Sequence, residues 1–254
     1  MVAQEVDPNI DVYQYLQRLQ FYAEKISDQL PPQVRLGDVL FQLNDYLYND
    51  RRFTSICSNR CPPDNIFLDR VIDSRRGSPL SITLIYLTVG RLLGLPLEAV
   101  SFPGRILIRY SDPEGDVVID PVDGGMPLQE NDLALMLSGT YAVRRRRPVQ
   151  RLNSFLSDTD DKSLMIRMLR QLKQGYMVHG ETQSALWALE KILLLEPGSA
   201  GSYRERGYLY ELLECNVAAA DDYRRYLDMM PDAGDAQTLR ARLSDLLRSD
   251  ITFH

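Results

Sequence analysis

Arg75-Arg76-Gly77-Ser78-Pro79-Leu80-Ser81-Ile82-Thr83-Leu84-Ile85-Tyr86-Leu87-Thr88-Val89-Gly90-Arg91-Leu92-Leu93-Gly94-Leu95-Pro96 holds the most apolar helical run of the chain. From Ser81 through Leu93, the side chains of Ile82, Leu84, Ile85, Leu87, Val89 and Leu92 leave little polar face. A helix that is apolar all round must be covered on every side, so this one is expected at the centre of a domain, stopped by Gly94-Leu95-Pro96.

The two flanks of that helix read differently. Ahead of it, residues 9 to 29 carry apolar side chains at helical spacing (Ile10, Tyr13, Leu16, Leu19, Ile26), ended by Pro31-Pro32, and residues 36 to 48 repeat the pattern through Leu36, Val39, Leu40, Leu43 and Leu47. A turn-rich segment from Cys57 to Asp64 leads to a short helix carrying Ile66, Phe67, Val71 and Ile72. Behind it the period changes to that of strands. Leu97 to Phe102, Arg105 to Tyr110 and Val117 to Ile119 are separated by Pro103-Gly104 and Asp112-Pro113-Glu114-Gly115, with Gly124-Gly125 as a third turn. A helix near Leu128 to Leu137 closes the segment. Helices followed by a small antiparallel sheet make an α+β domain. Its limit is expected in the polar stretch Arg144 to Lys162, which includes Ser157-Asp158-Thr159-Asp160-Asp161 and favours no packed element. The expected domains are therefore residues 1–150 and 160–254.

The second domain is read from a repeat. Pro197 and Pro231 lie 34 residues apart. Leu169, Leu172, Tyr176, Ala185 and Leu189 precede the first, and Tyr203, Gly207, Tyr210, Ala219 and Tyr223 precede the second. Small residues at Ala185 and Ala219 let paired helices approach closely, and proline cannot continue a helix. The pattern resembles two tetratricopeptide repeats. Leu239, Leu243, Leu246 and Leu247 then mark a capping helix over about residues 233 to 248.

Composition removes several function classes. The chain has 254 residues, 44% of them hydrophobic, and a net charge of -6. That supports one large or two medium cores and speaks against a general nucleic-acid binder, which needs a cationic surplus. Arg144 to Arg147 with Pro148 reads as a solvated linker. No stretch has the roughly 20 apolar residues of a membrane helix, and the N-terminus lacks a basic-then-apolar leader pattern, so a cytoplasmic protein that binds no membrane is expected. The three cysteines, Cys57, Cys61 and Cys215, cannot all pair within a monomer, and free thiols in a reducing compartment are expected. Cys57-x3-Cys61 lacks nearby ligands to complete a zinc site, since the histidines are His179 and His254. No metal or cofactor is expected.

Taken in order, Arg75-Arg76-Gly77-Ser78-Pro79-Leu80-Ser81, Gly94-Leu95-Pro96, Phe102-Pro103-Gly104, Ile119-Asp120-Pro121 and Gly124-Gly125 resemble the SirB1 family of bacterial proteins, whose first domain is transglutaminase-like and whose second carries tetratricopeptide repeats. The resemblance implies a papain-like arrangement of a cysteine at the start of the buried helix, a histidine on one strand and an aspartate on the next. Such a set works because a thiol becomes a strong nucleophile when an oriented base takes its proton. Aligned on Gly94, the cysteine position falls on Pro79, or on Ser81 after a slip of two. The histidine position, after Pro103-Gly104, is Arg105. A guanidinium stays protonated and cannot act as general base. Asp120 alone matches the family's acid, and the first domain contains no histidine.

Three readings follow. One is a non-catalytic scaffold, with a degenerate transglutaminase-like site and a repeat groove for a protein or peptide partner, candidate groove residues being Arg167, Arg170, Gln174, Tyr203, Arg204 and Glu205. A second is a binder of a small anionic ligand or peptide at the old site through Ser78, Ser81, Arg105 and Asp120. The third is a serine-dependent acyl hydrolase or transferase with Ser81 as nucleophile. The groove helices could equally pack on the first domain to complete its core. Composition does not set the oligomeric state.

Overall fold

The computed structural model describes residues 2–56, 61–112, 115–140 and 155–251, which form two compact units, Met1–Asp161 and Lys162–His254. The first is α+β. It opens with α1 (Val2–Val6), α2 (Val12–Ser27) and α3 (Leu36–Asn44), continued by a wider π turn over Asp45–Asp50. Strand β1 (Thr54–Ser55) pairs in parallel with β2 (Arg76–Gly77) across the short helix α4 (Leu68–Ser74). Then come α5 (Pro79–Leu92), β3 (Glu98–Phe102), β4 (Arg105–Asp112), β5 (Gly115–Asp120), β6 (Met126–Pro127) and α6 (Glu130–Thr140), and β7 (Ser157–Asp158) follows later.

Helix α5 starts two residues ahead of the apolar run. Ser78 caps it, its Oγ accepting from the Ser81 amide at 3.1 Å, and Pro79 fits the first turn, where no amide donor is needed. Ile82, Ile85, Tyr86, Leu87 and Val89 are buried, as a central helix requires, while Leu84 is partly buried and Leu92, in the last turn, is 50% exposed, so the expected cover is not complete. Around it, Tyr22 meets Tyr46 and Phe53 edge-on at centroid distances of 5.7 and 6.3 Å. The five-stranded sheet has the order β6-β5-β4-β3-β7 and is antiparallel throughout, with Val100, Phe102 and Leu107 of its strands packing against Leu133 of α6.

Three expectations change. Ser157-Asp158 is an edge strand, paired with Ser101 and Val100, so the polar stretch does contain a packed element and the first unit runs on to Asp161. Edge strands tolerate polar residues because only one side of the backbone is paired. The expected helix over residues 36–48 is regular only to Asn44, and the π turn that follows carries Tyr48. Cys61 is buried and disulfide-bonded, which corrects the free-thiol expectation there, since an odd number of cysteines does not keep any given one free. Cys215 is free and exposed. Cys57, Pro113-Glu114, the Arg144 to Pro148 run and His254 lie outside the described residues.

The second unit is all helical: α7 (Asp161–Val178), α8 (Thr182–Leu195), α9 (Ala200–Leu212), α10 (Asn216–Met229) and α11 (Ala236–Ile251). Pro197 and Pro231 each stand two residues beyond the end of a second helix. Leu169, Leu172, Tyr176, Ala185, Leu189, Ala219 and Tyr223 are buried. Gly207 is needed for the close approach of α9 and α10, because a Cβ there would lie 2.7 Å from Tyr223 Cε1. No helix among the described residues is long and apolar enough to cross a membrane.

Candidate functional site

The start of α5 brings Ser78 and Ser81 together. Their hydroxyl oxygens are 2.9 Å apart, Ser81 Oγ donates to the Ile66 carbonyl at 2.7 Å, and the Ser78 amide donates to the Asn65 carbonyl at 2.6 Å. Both serines have zero exposure. These hydroxyls tie the helix start to the segment before α4. Pro79, at the same turn, offers no side-chain chemistry. A ligand reaching Ser78 or Ser81 would first have to open this packing.

Arg105 opens β4 and Asp120 closes β5, and the register that pairs Ile108 with Ile119 puts the two on a cross-strand diagonal. The guanidinium pairs with Asp120 Oδ2, while Asp120 Oδ1 accepts from the Val122 amide at 2.9 Å. The carboxylate is sealed, at 0% exposure, while the arginine side chain keeps 39%. Fully occupied by a cation and a backbone donor, Asp120 has the surroundings of a structural carboxylate.

Sequence reading missed the groups that brace this pair. Tyr48, on the π turn, donates to the Pro121 carbonyl and stacks on Tyr86 at a centroid distance of 6.4 Å. Tyr86 donates to Asn44 Oδ1 at 2.9 Å, and Asn44 Nδ2 donates to the Gly125 carbonyl at 3.1 Å. Burial pushes both phenols well above the usual tyrosine range, so they remain proton donors. Gly125 has φ +69° and faces Asn44 so closely that an added Cβ would sit 2.2 Å from Oδ1. The loop after Asp120 is thus fastened to α3 by Asn44, 81 residues from Gly125 in sequence, and through Asn44 to Tyr86 of α5. Only the Gly124-Gly125 pair hinted at a tight approach.

A second, open site lies in the repeat unit. A cavity of about 620 Å³ is lined by α7, α9 and α11, with Leu189 and Tyr223 contributed by α8 and α10. Its rows follow the repeat: Gln174, Tyr208 and Arg242 are spaced by 34 residues, as are Arg204 and Thr238. Helix α11 therefore stands in the register of a third first helix, beyond the capping role expected of it. Of the groove residues named from sequence, Gln174, Arg204 and Glu205 line the cavity, and Arg167, Arg170 and Tyr203 do not. The 34-residue spacing would have found Tyr208 and Arg242. Lys173 pairs with Glu205 at 2.6 Å, Arg204 with Asp235, and Arg242 with Glu211, which also accepts from the Tyr223 hydroxyl at 2.8 Å.

Comparison with known proteins gives two family matches along the chain. Residues 13–170 match the family described as Transglutaminase-like superfamily, and residues 172–244 match Tetratricopeptide repeat. A UPF0162 protein of Xylella fastidiosa (strain Temecula1) is 30% identical over 258 residues, covering 100% of this chain and 90% of the relative. The UPF0162 protein YchA of Escherichia coli (strain K12) is 28% identical over 248 residues, with 97% and 89% covered. Protein SirB1 of Salmonella typhimurium is 29% identical over 249 residues, again with 97% and 89% covered. With a transglutaminase-like unit and a tetratricopeptide unit in this order, and relatives aligned along nearly its whole length, the chain belongs to the SirB1 family of the transglutaminase-like superfamily.

Proposed function

We propose that the protein is a non-catalytic scaffold of the cytoplasm, which engages a protein or peptide partner through its repeat groove while the transglutaminase-like unit serves as a structural platform. The observation that carries this reading is the Arg105–Asp120 pair. At the position where the superfamily's chemistry needs a base, a permanently charged guanidinium is held by a sealed carboxylate. Ser81, the remaining nucleophile at the helix start, is buried and donates its proton to a backbone carbonyl. The open cavity across α7, α9 and α11 supports the binding half of the reading.

The test places a photo-crosslinking residue in the full chain, at Tyr208 in the groove or at Asp116 on β5, and expresses each version in the native host. Adducts specific to Tyr208 are expected. The reading fails if Tyr208 captures nothing that Asp116 does not, or if the purified chain turns over an acyl substrate in a way that Ser81→Ala abolishes.

A second reading, a small-anion site at Arg105, is favoured by the 39% exposure of that side chain. It requires that phosphate raise the melting temperature of the protein and that Arg105→Lys weaken the rise.

A further inference from the structure

Two short strands bring three arginines onto one surface of the first unit. Strand β1 pairs in parallel with β2, and the register sets Thr54 opposite Arg76. The Thr54 amide donates to the Arg75 carbonyl at 2.9 Å, and its hydroxyl donates to the Arg52 carbonyl at 3.3 Å. One threonine thus holds the backbones of Arg52 and Arg75 together, although 23 residues separate them in sequence. All three arginines are exposed, and their side chains make no ion pair, hydrogen bond or ring contact among the described residues. Their neighbours are already occupied: Arg18 pairs with Asp73, Arg70 with Asp64, and Arg51 with the Tyr46 hydroxyl. The acids nearest in sequence are Asp50, which is exposed and pairs with none of the three, and Asp73, which Arg18 and Tyr15 hold. Three unpaired guanidinium groups against one unpaired carboxylate leave this surface cationic.

The backbone shows a second departure at the same place. Arg52 and Arg75 hold left-handed φ of +58° and +60°, and among the described residues other than glycine only Glu214 shares that conformation. Arg75 does so at the end of α4, where glycine is the usual residue because it has no Cβ to clash. Strained backbone of this kind clusters at ligand sites. A carboxylate satisfies one planar fork, whereas three forks on one surface call for a compact anion with oxygens on several sides, the geometry of linked phosphates. A long polyanion does not fit, because a chain of net charge -6 repels it beyond the patch. We propose that Arg52, Arg75 and Arg76 bind a pyrophosphate group, free or carried by a nucleotide.

Isothermal titration calorimetry of the full chain in metal-free buffer tests this with pyrophosphate, orthophosphate and succinate. Pyrophosphate should bind about tenfold tighter than either, and about tenfold more weakly once NaCl reaches about 0.5 M. The Arg52→Gly, Arg75→Gly double variant relieves the left-handed strain, so it should melt at or above the parent temperature while binding pyrophosphate about tenfold more weakly. Arg76→Gln should weaken binding about fivefold. Arg105→Lys should leave it unchanged, which keeps this site apart from an anion held at Arg105. Adenosine diphosphate separates the two sources of the group: binding as tight as pyrophosphate or tighter assigns a nucleotide, weaker binding assigns the free anion, and both support the site. The proposal is overturned if pyrophosphate does not bind, if succinate binds as tightly, or if the double variant and Arg76→Gln both bind as the parent does. It is likewise overturned if Arg105→Lys removes pyrophosphate binding.

Discussion

The two candidate sites spend their polar side chains in opposite ways. In the first, Ser78, Ser81 and Asp120 have no exposure and are turned onto one another, onto Arg105 or onto backbone groups. In the second, Arg204, Tyr208 and Arg242 line an open cavity, the two arginines paired with Asp235 and Glu211. A polar group whose donors and acceptors are satisfied internally stabilises a fold but has little left for a substrate. One held from below and open above is ready for a ligand.

The contrast breaks most sharply at Arg105. Replacing it with alanine leaves a fully buried carboxylate with only the Val122 amide as partner. Losing one member of a buried pair costs about 3–5 kcal/mol, discounted here to about 2–3 kcal/mol because the arginine is partly exposed. Urea unfolding of Arg105→Ala should show that loss. A change below about 0.5 kcal/mol would mean that the pair does not hold the loop and that Arg105 is available for other work.

Two glycines probe the bracing next. Gly125→Ala meets both a positive φ of +69° and Asn44 Oδ1 at 2.2 Å, and should cost about 2 kcal/mol. Gly207→Ala meets the ring of Tyr223, which can tilt, and the Ala219 carbonyl oxygen at 3.3 Å, and should cost about 1–2 kcal/mol. Thermal melts of the two variants rank the loop lock of the first unit against the helix contact of the second. The reverse order would show that the loop yields more easily than the repeat.

How much of this was legible in the chain follows from the range of the interactions. The helices around α5 and the two repeats announce themselves through local periodicity, and the arginine directly after Pro103-Gly104 can be read from the chain. The sealing of Asp120 is not visible, because it depends on Asn44 and Tyr48, which lie more than 70 residues upstream. The strand Ser157–Asp158 is too short and polar to alternate, so only its partner β3 reveals it. In the repeat unit the cavity was half legible. Gln174, Arg204 and Glu205 could be read from the repeat, whereas Arg242 was hidden in what looked like a simple cap.

One oxygen of the first unit departs from the pattern of internal satisfaction. Asp69 Oδ1, in α4, is buried without a hydrogen-bond partner among the described residues. Burial raises this carboxyl above the usual carboxylate range. The folded chain therefore holds the proton more tightly than the unfolded chain. This favours folding at acid pH, and the advantage is lost as pH rises through the folded value. Asp69→Asn should accordingly gain about 1 kcal/mol at neutral pH, the gain fading toward zero by about pH 4. A variant less stable than the parent at pH 7 would show that the carboxylate has a favourable role there.

The smallest expected effect falls on the groove, and it completes the contrast. Arg242 is 60% exposed and pairs with Glu211, which still accepts from Tyr223 when the arginine is gone. Its partner keeps only 11% exposure, and Tyr223 holds only Oε2, so Arg242→Gln leaves the buried Oε1 without its cation and should cost up to about 1 kcal/mol, less than Arg105→Ala. If urea unfolding instead showed a loss comparable to that of Arg105→Ala, the groove charges would belong to the architecture of α9 and α11, and the distinction between a sealed site and an open one would no longer separate the two units.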